Sequence, residues 1–417
     1  MKSTKYAVVL GLAASLLLTG CLPSGATEES QQPTNEPAAG HGAVEGAREV
    51  AEAPLHLATI DKRGSAGMFD LLNETESSLD SLEEVSALQT DGRYLFASTA
   101  EGLTILDSGV WSWNHTDHFH FYRGTARKIG ILDNAPKAVV TGGPLSTAGS
   151  TGVYVPATGE GILLDNARLA NGEISQRFTT HHAPHRGLLA PLGDGAISSQ
   201  PGQKPADMRV QYLDATGEPV AGASAQCAEP AGATATVAGL VIACAQGFLV
   251  ASETANDSAK FDLVPYPAGT KAGDRAESLE HRKARPAVAG VAGDHGAWVL
   301  NTRSLQLQRV LTEHKLLRVS AVGDSPGHIV ALDDRGRVLV YSTTTGQSVG
   351  ITKELLPRTV KDPEALRGVS LETDAQRAYV NAPSENKIYE IDFADSARIS
   401  RTLAPETSPH WMTQVGN

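Results

Sequence analysis

From about Leu55 onward the chain is a succession of short apolar runs separated by turn residues, and nowhere does it sustain the 3.6-residue period of a long amphipathic helix. Asp91-Gly92-Arg93-Tyr94-Leu95-Phe96-Ala97-Ser98-Thr99 leads into Gly102-Leu103-Thr104-Ile105-Leu106-Asp107. The same plan returns at 239–245 with 247–250, at 328–334 with 336–341, and at 377–381 with 386–392. Each unit predicts a hairpin: a strand, a polar turn containing Gly, Asp or Asn, and a second strand. Units of about 40–50 residues built from four strands are the signature of a propeller. Residues 54–417 at that period predict one all-β domain, a β-propeller of seven or eight four-stranded blades. The 41 glycines suit its many tight turns. Only residues 71–85 have a helix-like composition, and they read equally well as strand, loop and strand.

The N-terminus changes the setting. Lys2 and Lys5 precede an apolar run from Ala7 to Thr19, the anatomy of a secretory signal over residues 1–20. The run is shorter than the ~20 apolar residues a membrane span needs. Leu18-Thr19-Gly20-Cys21 resembles the bacterial lipobox, which implies an exported protein, cleaved before Cys21 and held on the extracytoplasmic face of a membrane by a lipid anchor. Residues 21–53 are rich in Pro, Gly, Ala, Ser and Glu and carry almost no large apolar side chain, so they read as a flexible linker. Its one histidine, His41, reads as a solvated linker residue.

Charge narrows the partners. The chain carries 35 Lys and Arg against 47 Asp and Glu. Loss of Lys2 and Lys5 with the signal makes the mature chain more acidic still. No cluster of basic residues is present to meet phosphates, which excludes a nucleic-acid partner. With Cys21 lipidated, Cys227 and Cys244 remain, each beside a strand-like segment. In an oxidising compartment they read first as a disulfide, with free thiols or metal ligands as the alternatives.

The chemistry concentrates in two places. Trp111-Ser112-Trp113-Asn114-His115-Thr116-Asp117-His118-Phe119-His120-Phe121-Tyr122 packs three histidines and an aspartate into six residues, framed by aromatics. Neutral imidazole and carboxylate are ligands a borderline divalent ion such as zinc accepts. Read as one strand, the segment puts His118 and His120 on one face and His115 and Asp117 on the other. Asp117 would then serve as ligand or as hydrogen-bond partner of a ligating imidazole. The second cluster is His181-His182-Ala183-Pro184-His185, where His185 sits at the entry to a strand and His181 and His182 read as solvated. Inner strands and loop ends gather around a propeller's axis, so the two clusters are expected to meet there. His410 lies near the C-terminus, where closure of the ring would return it to the channel. His295, His314 and His328 stand singly and read as structural. Because only neutral imidazole ligates, zinc affinity should fall as pH drops through about 6.5. The glycine pairs lack the strand-to-helix context of a phosphate loop, and Ser198-Ser199 lacks a nucleophile elbow.

Several of these residues together resemble the AztD-type zinc metallochaperones, which serve zinc-importing ABC transporters in bacterial envelopes. The resemblance is carried by His115-x-Asp117-His118-x-His120-x-Tyr122-Arg123-Gly124, by Ala183-Pro184-His185-x-Gly187, by Cys227 with Cys244, and by Asn386-Lys387-Ile388-Tyr389-Glu390-Ile391-Asp392 and Pro409-His410. It implies a β-propeller that is not an enzyme and that carries Zn²⁺ to the solute-binding protein of an ABC importer. It also implies metal ligands among His118, His120, His185, His115, Asp117 and His410. The chain departs from the pattern at Arg186, where a second histidine is usual. A monomer is expected. Two other classes compete: a metal-dependent, lactonase-like propeller hydrolase, and a metal-free interaction scaffold.

Overall fold

The computed structural model describes residues 44–115, 118–144 and 149–417. The signal segment, Cys21, His41 and Asp117 lie outside the described residues. Among the described residues eight antiparallel sheets follow one another, and a ninth small sheet stands apart from them. The first sheet takes His56–Ile60, Ala66–Asp70 and Glu76–Ser78 and completes itself with Trp411–Val415 from the other end of the chain. His56 pairs with Val415 and Ile60 with Trp411. The second is Ala87–Thr90, Tyr94–Ser98, Gly102–Asp107 and Arg127–Asp133. Sheets three to eight occupy residues 139–181, 189–226, 232–265, 287–311, 316–351 and 371–403. All have four strands except the sixth, which has three among the described residues.

Packing shows that the sheets form a closed ring. Tyr94 and Phe96 of the second sheet pack against Val153 and Ile162 of the third, while Leu95 and Ala97 pack against Ala58 and Met68 of the first. Alternate residues of one strand therefore serve opposite neighbours, as the period of two requires. Eight such clusters occur, one for each sheet-to-sheet boundary. Leu57 and Phe69 with Tyr379 and Ile388 join the eighth sheet to the first. The protein is an eight-bladed β-propeller. Middle strands buried on both faces, such as Tyr94–Ser98 and His328–Asp333, explain the continuous apolar runs in the sequence. The four hairpins predicted from the sequence pair as expected. Residues 71–85 form loop and the short strand Glu76–Ser78 rather than a helix. Arg48–Val50, inside the stretch read as linker, is a strand.

Two consequences matter for the site. In a four-stranded antiparallel blade, the first-to-second and third-to-fourth connections lie at one end, while the second-to-third connection and the crossing to the next blade lie at the other. The innermost strands surround a cavity of about 410 Å³ lined by Glu280, Arg318, Glu372 and Thr413. Glu280 is brought there by bridging to Ala289 at the inner edge of the sixth blade. An adjoining cavity of about 140 Å³ is shared by Glu280, His281, Lys283, Glu372 and Gln414.

Candidate metal site

The third-to-fourth connection of the second blade is enlarged into a hairpin of its own, Val110–His115 and His118–Arg123. Both strands are dense in aromatic side chains, which favour the pleated state. The pairing runs Trp111 with Tyr122, Trp113 with His120 and His115 with His118. The stretch read as one strand is thus two, and the face assignment changes with it. Residues opposite each other across an antiparallel pair share a face. Trp111, Trp113, His118, His120 and Tyr122 therefore form one row. Trp111 and Tyr122 stack at 5.0 Å between ring centroids, and Trp113 lies 5.8 Å from His120. At backbone level His115 is the register partner of His118, so its expected separation from that pair is overturned.

The hairpin is bolted to the blade at its base. Gly124 N–H donates to the Gly109 carbonyl at 2.6 Å, and Gly109 sits at φ +71°, where a Cβ would press on the backbone of Ala126. Arg93 lies with its guanidinium 3.8 Å over the Trp111 ring. The same guanidinium donates twice to Asp107, at 2.9 and 2.7 Å, and both residues are buried. Ser112 Oγ donates to the Gly416 carbonyl at 2.8 Å. Arg123 donates to Asp70 Oδ2 at 2.6 Å. Burial opposes the charged form of Asp70, but hydrogen bonds from Arg123 and Asn73 outweigh it and hold the carboxyl below its ordinary range.

At the tip, His118 Nε2 and His120 Nε2 are 2.9 Å apart. His120 Nδ1 lies 2.6 Å from Glu49 Oε1. Glu49 belongs to the strand Arg48–Val50, which pairs with the outer edge of the hairpin, Glu49 opposite Tyr122. A carboxylate only accepts, so neutral His120 donates through Nδ1–H and its Nε2 carries the lone pair. His118 then donates its Nε2–H to that lone pair. In a tetrahedral zinc site with bonds of about 2.0–2.1 Å, two ligand nitrogens stand about 3.3 Å apart. The 2.9 Å separation of the pair is close to that spacing. Among the described residues, no group of three or more His, Cys, Asp or Glu side chains is gathered closely enough to hold a metal by itself.

The other predicted ligands are placed elsewhere. His185 lies in the crossing from the third blade to the fourth and His410 in the crossing from the eighth to the first. Both crossings lie at the end of the blades opposite the hairpin, so the expected convergence of all these imidazoles near the axis does not occur. His185 Nδ1 stands 2.7 Å from Tyr154 Oη and 2.8 Å from the Ala183 carbonyl, and its Nε2 is 2.9 Å from Ser199 Oγ. His182, read as solvated, is half-buried, with Nε2 3.3 Å from Ser198 Oγ. Burial lowers its pKa, with His185 and His181 adding to the shift. His410 is buried edge-on to Trp411 at 5.2 Å, and burial lowers its pKa, with Lys62 adding to the shift. Cys227 and Cys244 form the predicted disulfide.

Two residues that contact the hairpin escaped the sequence reading. Glu49 sits in a strand of three residues, too short for periodicity to show. Arg93 had no role assigned within its repeat unit, and it is a buried cation under the hairpin.

No family of known sequences matches the chain, and no curated protein matches it by sequence. Solved structures do match. AztD from Citrobacter koseri superposes with a TM-score of 0.70 at 18% identity, covering 87% of this chain and 97% of that one. Apo AztD from the same organism gives 0.69 at 17% identity with the same coverage. Dihydro-heme d1 dehydrogenase NirN in complex with DHE follows at 0.51 and 13% identity, covering 88% of this chain and 76% of that one. At these identities the likeness is one of fold, and the fold is that of AztD.

Proposed function

We propose that the protein is a zinc carrier of the cell envelope, in which His118 and His120 hold Zn²⁺ on an exposed hairpin and pass it to a partner. The observation that carries this reading is the pair of Nε2 atoms 2.9 Å apart on one face of a hairpin anchored at its base. The AztD-like fold and the sequence motif around the pair support it. Two imidazoles leave coordination positions to be filled. His115 and Asp117, next to the pair in the chain, are the proposed completing ligands while zinc is carried.

A site open at exposed His118, with His120 buried behind it, suits transfer. A partner's ligands can enter the coordination sphere before those of the carrier leave, so the ion is never released into solvent. A solute-binding protein of a zinc-importing ABC transporter is the proposed recipient, with the carrier held beside it by lipid on Cys21. No turnover is needed for this role, and the carrier is proposed not to be an enzyme.

The test is zinc titration against a competing chelator with the mature protein and its variants. His118→Ala with His120→Ala should abolish binding, a loss of more than about 100-fold given what two ligands contribute. His185→Ala should leave the affinity within about twofold while costing about 1–2 kcal/mol of stability through its lost hydrogen bonds. Zinc bound equally well by the double variant would end the proposal.

A further inference from the structure

The contact between Glu49 and His120 reaches beyond the choice of ligands, and the inference drawn from it rests on the reading of His118 and His120 as zinc ligands. We infer that Glu49 is a positioning residue for zinc, and that docking of the short strand carrying it sets how tightly the ion is kept.

Glu49 does not share the gap between the two Nε2 atoms; it takes the far nitrogen of His120 at 2.6 Å. That is the arrangement in which a carboxylate fixes a ligating imidazole. It selects the tautomer with the lone pair on Nε2, holds the ring plane, and raises the basicity of the ligand. His120 is buried on the aromatic row, packed 5.8 Å from Trp113 and 6.2 Å from Tyr122, so the carboxylate sets an orientation the rings already favour.

The strand bearing Glu49 is held lightly. Its residues are exposed, exposed and half-buried in turn, and three register pairs join it to the hairpin, Arg48 with Arg123, Glu49 with Tyr122 and Val50 with Phe121. Just before it the chain turns through Gly46 at φ +77°, with Ala47 N–H donating to the Val44 carbonyl. The blades do not depend on this strand, because the hairpin is anchored independently through Gly109, Arg93 and Ser112. It can therefore detach without unfolding the propeller. Linkage makes the consequence reciprocal: if docking strengthens zinc binding by a given factor, zinc strengthens docking by the same factor. A partner that lifts the strand from the hairpin edge would weaken the hold on zinc at the moment of transfer.

The experiment uses the full mature chain. Glu49→Gln and Glu49→Ala should each bind zinc about 10–100-fold more weakly in chelator competition. Thermal melting without zinc should match wild type, since the strand is exposed. Val50→Pro, which keeps the carboxylate but disturbs the pairing, should weaken zinc in the same direction. Backbone amides of residues 44–50 should exchange more slowly when zinc is added to wild type, and not in Glu49→Ala. Wild-type zinc affinity in both Glu49 variants overturns this inference alone, provided His118→Ala still loses the ion. Amide exchange at 44–50 that ignores zinc also overturns it. A wild-type protein that holds no zinc at all removes the reading beneath it.

Discussion

At one end of the blades His118 and His120 turn their Nε2 atoms toward each other; at the other, His185 divides its ring between Tyr154 Oη and Ser199 Oγ. The residue type is the same. The difference lies in what an arriving ion would displace. On the hairpin it would come between two imidazole nitrogens that already face each other, while the far nitrogen of His120 stays on Glu49. At His185 it would have to break contacts with side chains of the blade framework, each worth about 0.5–1.5 kcal/mol and more if a buried partner is stranded. A histidine is disposed to bind metal when one nitrogen is fixed by a carboxylate and the other faces a second ligand. When both nitrogens serve the scaffold, it is structural.

The strongest way to break that contrast is to undercut the hairpin itself. Arg93 holds Trp111 from below while neutralising Asp107, and both charges are buried. Removing one member of a buried pair strands the other at a cost of about 3–5 kcal/mol. Arg93→Ala should lose stability of that order in urea unfolding and should weaken zinc binding as the aromatic row loosens. The opposite end, with its Tyr154–His185–Ser199 contacts, should keep its local structure by amide exchange. A stability loss below about 1 kcal/mol would show that the hairpin does not rest on this pair.

The same contrast explains what the sequence discloses. Propeller blades are legible because their middle strands are buried on both faces, which writes itself as continuous runs such as Tyr94–Ser98. The hairpin is not legible as two strands, because Thr116-Asp117 lacks the Asn-Gly or Gly-Gly signal of a tight turn and the aromatic–histidine alternation continues across it. That missed break between strands hid the backbone pairing of His115 with His118. The separation of His185 and His410 from the hairpin follows from strand parity: one site lies on a third-to-fourth connection, the others on crossings between blades. Histidine content carries no information about parity, so counting clusters alone suggested convergence. Glu49 was hidden because three residues beside a Gly- and Pro-rich stretch offer too little pattern to mark a strand.

A smaller effect sharpens the division between the ends. The Cys227–Cys244 disulfide joins the entry to the fifth blade with its second-to-third turn, at the end shared with His185. It closes a sequence separation of 17 residues, for which restriction of the unfolded chain amounts to about 3 kcal/mol. Replacing both cysteines by alanine should lower stability by about 2–4 kcal/mol in denaturant unfolding while zinc affinity stays within about twofold. A parallel fall in zinc affinity would mean that the two ends are coupled and that the contrast between them is false.

The smallest effect belongs to the channel between the ends, where charge is concentrated without a paired-imidazole geometry. Glu372 accepts from Thr413 Oγ at 3.1 Å. Burial, with Glu280 adding to it, pushes the Glu372 carboxyl up to about 7, and burial likewise pushes Glu280 to about 7. The sign follows from proton counts. Between about pH 4.5 and 7 the unfolded chain releases the proton that folded Glu372 keeps, so stability falls as pH rises through that window and levels off above it. Glu372→Gln keeps an acceptor for Thr413 and removes the titration. The variant should match wild type near pH 4.5 and melt higher near pH 8, by about 1–2 °C for each kcal/mol recovered in a domain of this size. Its zinc affinity should be unchanged, because the proposed site is the hairpin tip and not the channel carboxylates. Calorimetry across that pH range and a chelator titration at its upper end measure both, and weaker zinc binding in this variant would move the site from the hairpin to the axis.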